Sequence, residues 1–153
     1  MGPIGVISDT HGLLRPQAVA ALQGSALIIH AGDVGSPEIL DEVRRIAPVV
    51  AVRGNVDRDG WAVRLPHSEI VEHDGIRLYV VHILEDLDLD APTAGFHAVI
   101  TGHTHRPKIE TKDGVLYFNP GSAGPRRFDL PVSVGRLSIV DGKLHGEIVY
   151  LQV

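Results

Sequence analysis

The stretch LIIHAGDVGSPEILDEVRRIAPVVAVRGNVD, residues 27–57, decides the fold. Leu27 to Ile29 is a short apolar run set between Gly24-Ser25 and Gly32-Asp33, the form a buried strand takes in sequence. Ser36 stands in an N-cap position with Pro37 in the first helical turn, and Glu38, Ile39, Leu40, Val43 and Ile46 follow at helical spacing. Pro48 ends that helix, and Val49 to Val52 is the next strand. Strand, helix, strand with a short right-handed crossover is the building unit of a parallel sheet. In such a sheet ligands bind at the carboxyl ends of the strands. Here those ends carry Gly32-Asp33 and Gly54-Asn55-Val56-Asp57.

Upstream, Ile4 to Ile7 reads as a further strand and Pro16 to Leu22 as a helix, so the first half is expected to be doubly wound. Downstream the pattern changes. Glu69 to Glu72 and Ile76 to Val81 flank Asp74-Gly75, a hairpin signal, and Asp113-Gly114 and Asp141-Gly142 mark two more. The second half is therefore expected to be mainly antiparallel, with a short helix over Asp86 to Asp90 and one more strand over Ala98 to Thr101. The sequence contains no internal repeat, linker or low-complexity tract, and 153 residues suffice for one domain with its own core.

Composition narrows the function. No apolar run reaches the roughly 20 residues of a membrane helix. The first residues lead straight into a strand without the basic and apolar regions of a signal peptide, so a cytoplasmic protein is expected. There is no cysteine, which excludes disulfides, thiolate metal sites and a cysteine nucleophile. A net charge of −5 with scattered cations supplies no basic stripe for extended nucleic-acid binding. The nine histidines are many for this length, and His11, His82, His103 and His105 fall at strand ends.

Five polar segments at strand ends point to a metal site: Ser8-Asp9-Thr10-His11, Gly32-Asp33, Gly54-Asn55-Val56-Asp57, His82 and Gly102-His103-Thr104-His105. Asp9 and His11, one residue apart, point the same way if the loop is extended. Asp33 has two oxygens with which to bridge two cations, and Asn55 offers a neutral carbonyl. His103 and His105 alternate directly after an apolar strand and aim at a common centre, the strongest single element. Taken singly, Asp9-x-His11, Asp33 and Asn55 also read as hydrogen-bonded turns, and His82 as a structural histidine. His30 reads as buried and structural, while His67, His73, His97 and His145 lie near turns or edges with no chemistry assigned.

In this order the segments resemble the metallophosphoesterase, or calcineurin-like, superfamily, and within it the small bacterial and archaeal phosphodiesterase branch. The resemblance runs from Ile4 to the Asn119-Pro120-Gly121-Ser122 turn and implies a single domain over residues 1–153. The implied fold is α/β, a four-layer sandwich of two mixed β-sheets flanked by helices. The implied cofactor is a pair of divalent cations, manganese first, with iron, nickel, cobalt and zinc as alternatives. Asp9, His11 and His105 would hold one ion, Asn55, His82 and His103 the other, and Asp33 would bridge them, with Asp33, Asn55 and His103 counted as catalytic. A metal-bridging hydroxide would attack the phosphorus of a small phosphoester, making the protein a phosphodiesterase. A phosphomonoesterase is the neighbouring enzyme reading. A non-catalytic protein-binding scaffold is the contrasting one, because a retromer subunit resembles these proteins and acts through protein contacts.

Two departures from the family pattern bear on substrate. Larger relatives carry His after the Gly-Asn of the third motif, where this chain has Val56, which donates no proton. Relatives continue from the fourth-motif His into Gly-His, where this chain reads His82-Ile83-Leu84, so bulky residues are expected on the substrate rim. Asp57 is expected to orient either its loop or a ligand histidine. Arg126-Arg127, after Gly121-Ser122-Ala123-Gly124-Pro125, suits oxyanion recognition but reads equally as a solvated pair. Exposed β-edges in the second half leave a homodimer open.

Overall fold

A computed structural model describes residues 2–153. In chain order its elements are β1 (Ile4–Ile7), α1 (Pro16–Leu22), β2 (Leu27–His30), α2 (Pro37–Arg44), β3 (Val49–Ala51), β4 (Ser68–His73), β5 (Ile76–Val81), β6 (Ala98–Ile100), β7 (Lys108–Lys112), β8 (Val115–Asn119), β9 (Ser133–Val140) and β10 (Lys143–Tyr150). They form two mixed five-stranded sheets, ordered β10-β9-β1-β2-β3 and β4-β5-β6-β8-β7. No helix among the described residues is long and apolar enough to cross a membrane.

Period-two alternation builds the layers. On β1, Ile4 and Val6 face the second sheet while Ile7 faces the helices; on β2, Leu27 and Ile29 face the sheet while Ile28 faces the helices. Leu78 and Val80 of β5, Ala98 and Ile100 of β6, and Leu116 and Phe118 of β8 close the intersheet core from the other side. Ala18 and Leu22 of α1 and Ile39, Leu40 and Val43 of α2 share one cluster on the outer face of the first sheet.

That shared cluster corrects the doubly wound expectation. β1, β2 and β3 lie side by side in chain order, so successive right-handed crossovers step in one direction and place both helices on one face. A second correction concerns the second half, whose central pairings β5–β6 and β6–β8 are parallel. Only its outer pairs, β4–β5 and β7–β8, are antiparallel, and the β9–β10 hairpin joins the first sheet instead. The three Asp-Gly hairpins form as read, with Asp74, Asp113 and Asp141 and their glycines all at positive φ, the backbone of a type I′ turn.

The sandwich of two mixed sheets is the expected one, and its fourth layer is irregular chain. The helix expected over Asp86 to Asp90 does not form; a single 3₁₀ turn spans Leu84–Asp86. Leu87 and Leu89 alternate with Asp86, Asp88 and Asp90 at a spacing of two rather than 3.6, and Leu84, Leu87 and Leu89 pack on Tyr79, Phe96 and Val99 across the outer face of the second sheet. Ser36 occupies the N-cap of α2 but makes no side-chain capping bond.

Candidate metal centre

The site forms where loops from both sheets meet. Loops after β1, β2 and β3 carry Asp9, His11, Asp33 and Asn55; those after β5 and β6 carry His82, His103 and His105. The first two loops are zipped together by backbone bonds from the Asp9, His11 and Gly12 N–H groups to the carbonyls of Gly32, Asp33 and Val34, at 3.0, 3.0 and 2.9 Å. The expectation of an extended Asp9-x-His11 loop fails: their φ values are 56° and 46°, in the left-handed region. Asp33, His103 and His105 share that conformation, at 57°, 73° and 62°. Five of the seven candidate ligands thus hold a backbone that costs non-glycine residues roughly 1–3 kcal/mol each, sustained by the bonds around them.

Two trios of ligand atoms result, Asp9 with His11 and His105, and Asp33 with His82 and His103, each within a span of 4.8 Å. The carboxylates are built alike. Asp9 commits Oδ2 to the Ser8 hydroxyl at 2.7 Å and the His103 N–H at 3.0 Å, and turns Oδ1 toward the Nε2 atoms of His105, His11 and His82 at 3.4, 3.7 and 3.8 Å. Asp33 accepts the Val56 N–H on Oδ1 at 3.0 Å and turns Oδ2 toward His82 Nε2 at 3.1 Å and His11 Nε2 at 3.7 Å. Asp33 therefore reaches both trios through one oxygen, not through the two that the sequence reading supposed. Asn55 joins through Oδ1, 3.1 Å from His103 Nδ1.

Close backbone approach makes this geometry available. A Cβ on Gly102 would lie 2.1 Å from Ser8 Oγ and 2.8 Å from Asp9 Oδ2, and one on Gly54 would lie 2.1 Å from Asp33 Oδ1. Asn119 binds the Gly102 carbonyl and the Thr104 hydroxyl through Nδ2 and accepts the Gly121 N–H, fixing the His103–His105 loop. Ser122 donates to the Asp9 carbonyl. Asp57 orients loops and no histidine: its carboxylate accepts the N–H groups of Val34, Gly35 and Gly54. His30 is structural, accepting the Gly32 N–H on Nδ1, which leaves Nε2–H to donate to Thr10 at 3.0 Å.

The electrostatics ask for a cation. His82 donates Nδ1–H to the Ala31 carbonyl at 2.7 Å, so in neutral form its Nε2 lone pair faces the Asp33 carboxylate. Asp9 Oδ1, His11 Nε2 and His82 Nε2 are all buried without a hydrogen-bond partner, an arrangement that is costly unless a positive charge sits among them. Burial opposes ionisation of Asp9, yet His105, His11, His82 and Ser8 outweigh it and hold the carboxyl far below the usual range. Asp33 is lowered too, against its burial, by His82 and the Val56 N–H. Burial works against the cationic form of His82, but Asp33 and Asp9 raise its pKa overall. Two carboxylates, imidazoles and an amide carbonyl form a donor set that fits a divalent cation of hard or borderline character.

A model of the calcineurin-like phosphoesterase superfamily domain matches residues 3–142. The chain belongs to the calcineurin-like phosphoesterase superfamily. As a member it is a metal-dependent phosphoester hydrolase. A protein of Methanothermobacter thermautotrophicus named probable metallophosphoesterase is 39% identical, covering 95% of this chain and 91% of the relative. Among solved structures, a novel archaeal phosphodiesterase superposes with a TM-score of 0.79 at 25% identity, covering 96% of this chain and 99% of that one. Vacuolar protein sorting 29 from Cryptosporidium parvum shares the fold, with a TM-score of 0.75 at 19% identity over 99% of this chain and 98% of that one.

Beside the trios, against Asn55 and His82, lies a cavity of about 340 Å³. Ile83 lines it, whereas Leu84 packs in the outer apolar cluster. Arg53, Arg58, His67 and Asp86 also face this space. His67 stands alone between Pro66 and Ser68 in the sequence, with no motif around it; only the third dimension brings it here. Arg126 and Arg127 are exposed, and among the described residues their side chains form no ion pair.

Proposed function

We propose that the chain is a two-metal phosphodiesterase. The observation that carries the reading is the convergence of both ligand trios on Asp33 Oδ2, each carboxylate anchored by one oxygen and offering the other. Asp9, His11 and His105 would hold one cation, Asn55, His82 and His103 the second, and Asp33 would be shared, with manganese the leading candidate. When bound, such a pair lowers the pKa of water and stabilises charge on phosphoryl oxygens. Asp33, Asn55 and His103 would act as the catalytic ligands, and Asn55 together with His82 forms the side of the centre that lines the cavity, where a bound ester would lie.

The protein residues supply order. The left-handed loops fix imidazole directions before substrate arrives, and the Val56 N–H holds the Asp33 carboxylate in place. Val56 itself is 49% exposed and brings no proton donor to the site, which favours activated leaving groups. Similarity to an archaeal phosphodiesterase supports a diester substrate over a monoester. The complete ligand set weighs against a purely scaffolding role.

Chelator-stripped protein is expected to be inactive on bis-p-nitrophenyl phosphate and to recover activity with Mn²⁺, with p-nitrophenyl phosphate turned over more slowly at equal metal loading. Retention of full activity by Asp33→Ala/His103→Ala would refute the metal-centred reading, and faster monoester turnover would make the protein a phosphomonoesterase.

A further inference from the structure

The cavity beside Asn55 and His82 carries charge that the metal centre does not use. Arg53 and Arg58 line it together with Val63, Ile83 and the His67–Asp86 pair, whose Nε2 and Oδ2 atoms are 3.5 Å apart. Among the described residues no carboxylate lies within ion-pairing distance of either arginine. Asp57 also lines the cavity, but it is buried and its two oxygens are taken by three backbone N–H groups. Asp86 lies beside His67 rather than either arginine. Arg58 donates Nε–H to the Asn55 carbonyl at 3.3 Å, which ties its guanidinium to the loop that carries a candidate ligand.

Two cations without carboxylate partners, in a recess that opens on the reacting centre, are suited to an anion that arrives with the substrate. Guanidinium groups bind phosphate through paired N–H donors. At about 340 Å³ the recess lies at the small end of small-molecule sites, roughly 300–1,000 Å³, so it admits one compact group. Val63 and Ile83 give it an apolar wall against which a sugar or ring can rest.

We infer that this cavity is a subsite for a second phosphate group on the substrate, bound by Arg53 and Arg58 on the side of the centre marked by Asn55 and His82. Resting on the diesterase reading, this makes the substrate class a phosphodiester that carries a further phosphate group, such as one ending in a phosphorylated nucleoside.

The test is calorimetric titration of the Mn²⁺-loaded protein with adenosine 3′,5′-bisphosphate and with adenosine 5′-monophosphate. The bisphosphate is expected to bind roughly tenfold or more tightly, the worth of one or two charge-assisted hydrogen bonds. That preference should fall to near unity in Arg53→Gln/Arg58→Gln and persist in Lys108→Gln/Lys112→Gln, which removes the same charge from the edge strand β7. Arg58→Gln alone should lose part of the preference, so misfolding of the double variant would not hide the result. Equal affinity for the two nucleotides in the unmodified protein, or an undiminished preference after both arginines are changed, would overturn the subsite. Intact preference in a protein that hydrolyses no diester would uphold the subsite and overturn the diesterase reading alone.

Discussion

At the scale of single residues, buried hydrogen bonding decides more than charge pairing. His30 is completely buried and its pKa is lowered to about 4, chiefly by burial, with the Asp9 and Asp57 charges opposing the shift. As pH falls from about 6.5 toward 4, the unfolded chain takes up a proton at this residue that the folded chain refuses. Stability should therefore drop with acidification in that window, by up to about 3 kcal/mol. Urea unfolding from pH 7 to pH 4 should show this slope, and His30→Gln should flatten it; an equal slope in the variant would count against the assignment. Asp57 acts through three N–H groups at once. Asp57→Ala leaves these donors without an acceptor and should cost about 3 kcal/mol or more, with Asp57→Asn losing less, as read from denaturation midpoints.

At the scale of elements, the turn after β8 governs a loop it does not belong to. Asn119 grips Gly102 and Thr104 on one side and Gly121 on the other, so Asn119→Ala should lower Mn²⁺ affinity roughly tenfold without removing any ligand. Titration calorimetry would measure it, and affinity equal to the unmodified protein would show that the loop holds itself. The strands, both helices and all three hairpins could be read from sequence because apolar period, Pro and Asp-Gly are local signals. What escaped was set by pairing partners. Nothing within Val115 to Asn119 says that it lies parallel to β6, and nothing within Asp86 to Asp90 says that its leucines cover a sheet rather than one side of a helix. The ligands were legible as motifs at strand ends, and Arg58 directly follows one of them, whereas His67 stands in no motif and reaches this space only through the fold.

At the scale of the whole molecule, the seven candidate ligands divide between the sheets: Asp9, His11, Asp33 and Asn55 come from the first, His82, His103 and His105 from the second. Below the centre the sheets are joined by apolar packing; at the centre they are joined by polar atoms that lack partners of their own. Bound cations would satisfy those atoms and tie the layers together, so metal binding should be a property of the folded sandwich and not of the unfolded chain. Ligand held at a hundredfold excess over its dissociation constant adds about 2.7 kcal/mol to stability. For a domain of this size each kcal/mol moves the midpoint by about 2–4 °C. Thermal unfolding followed by circular dichroism should therefore rise by roughly 5–10 °C from chelated to Mn²⁺-saturated protein. Asp33→Ala/His103→Ala takes one ligand from each sheet and should abolish that increment even if its chelated midpoint is unchanged. A midpoint that does not respond to Mn²⁺ in the unmodified protein would mean that the two trios close on no ion, and that hydrogen bonds alone hold the loops at the junction.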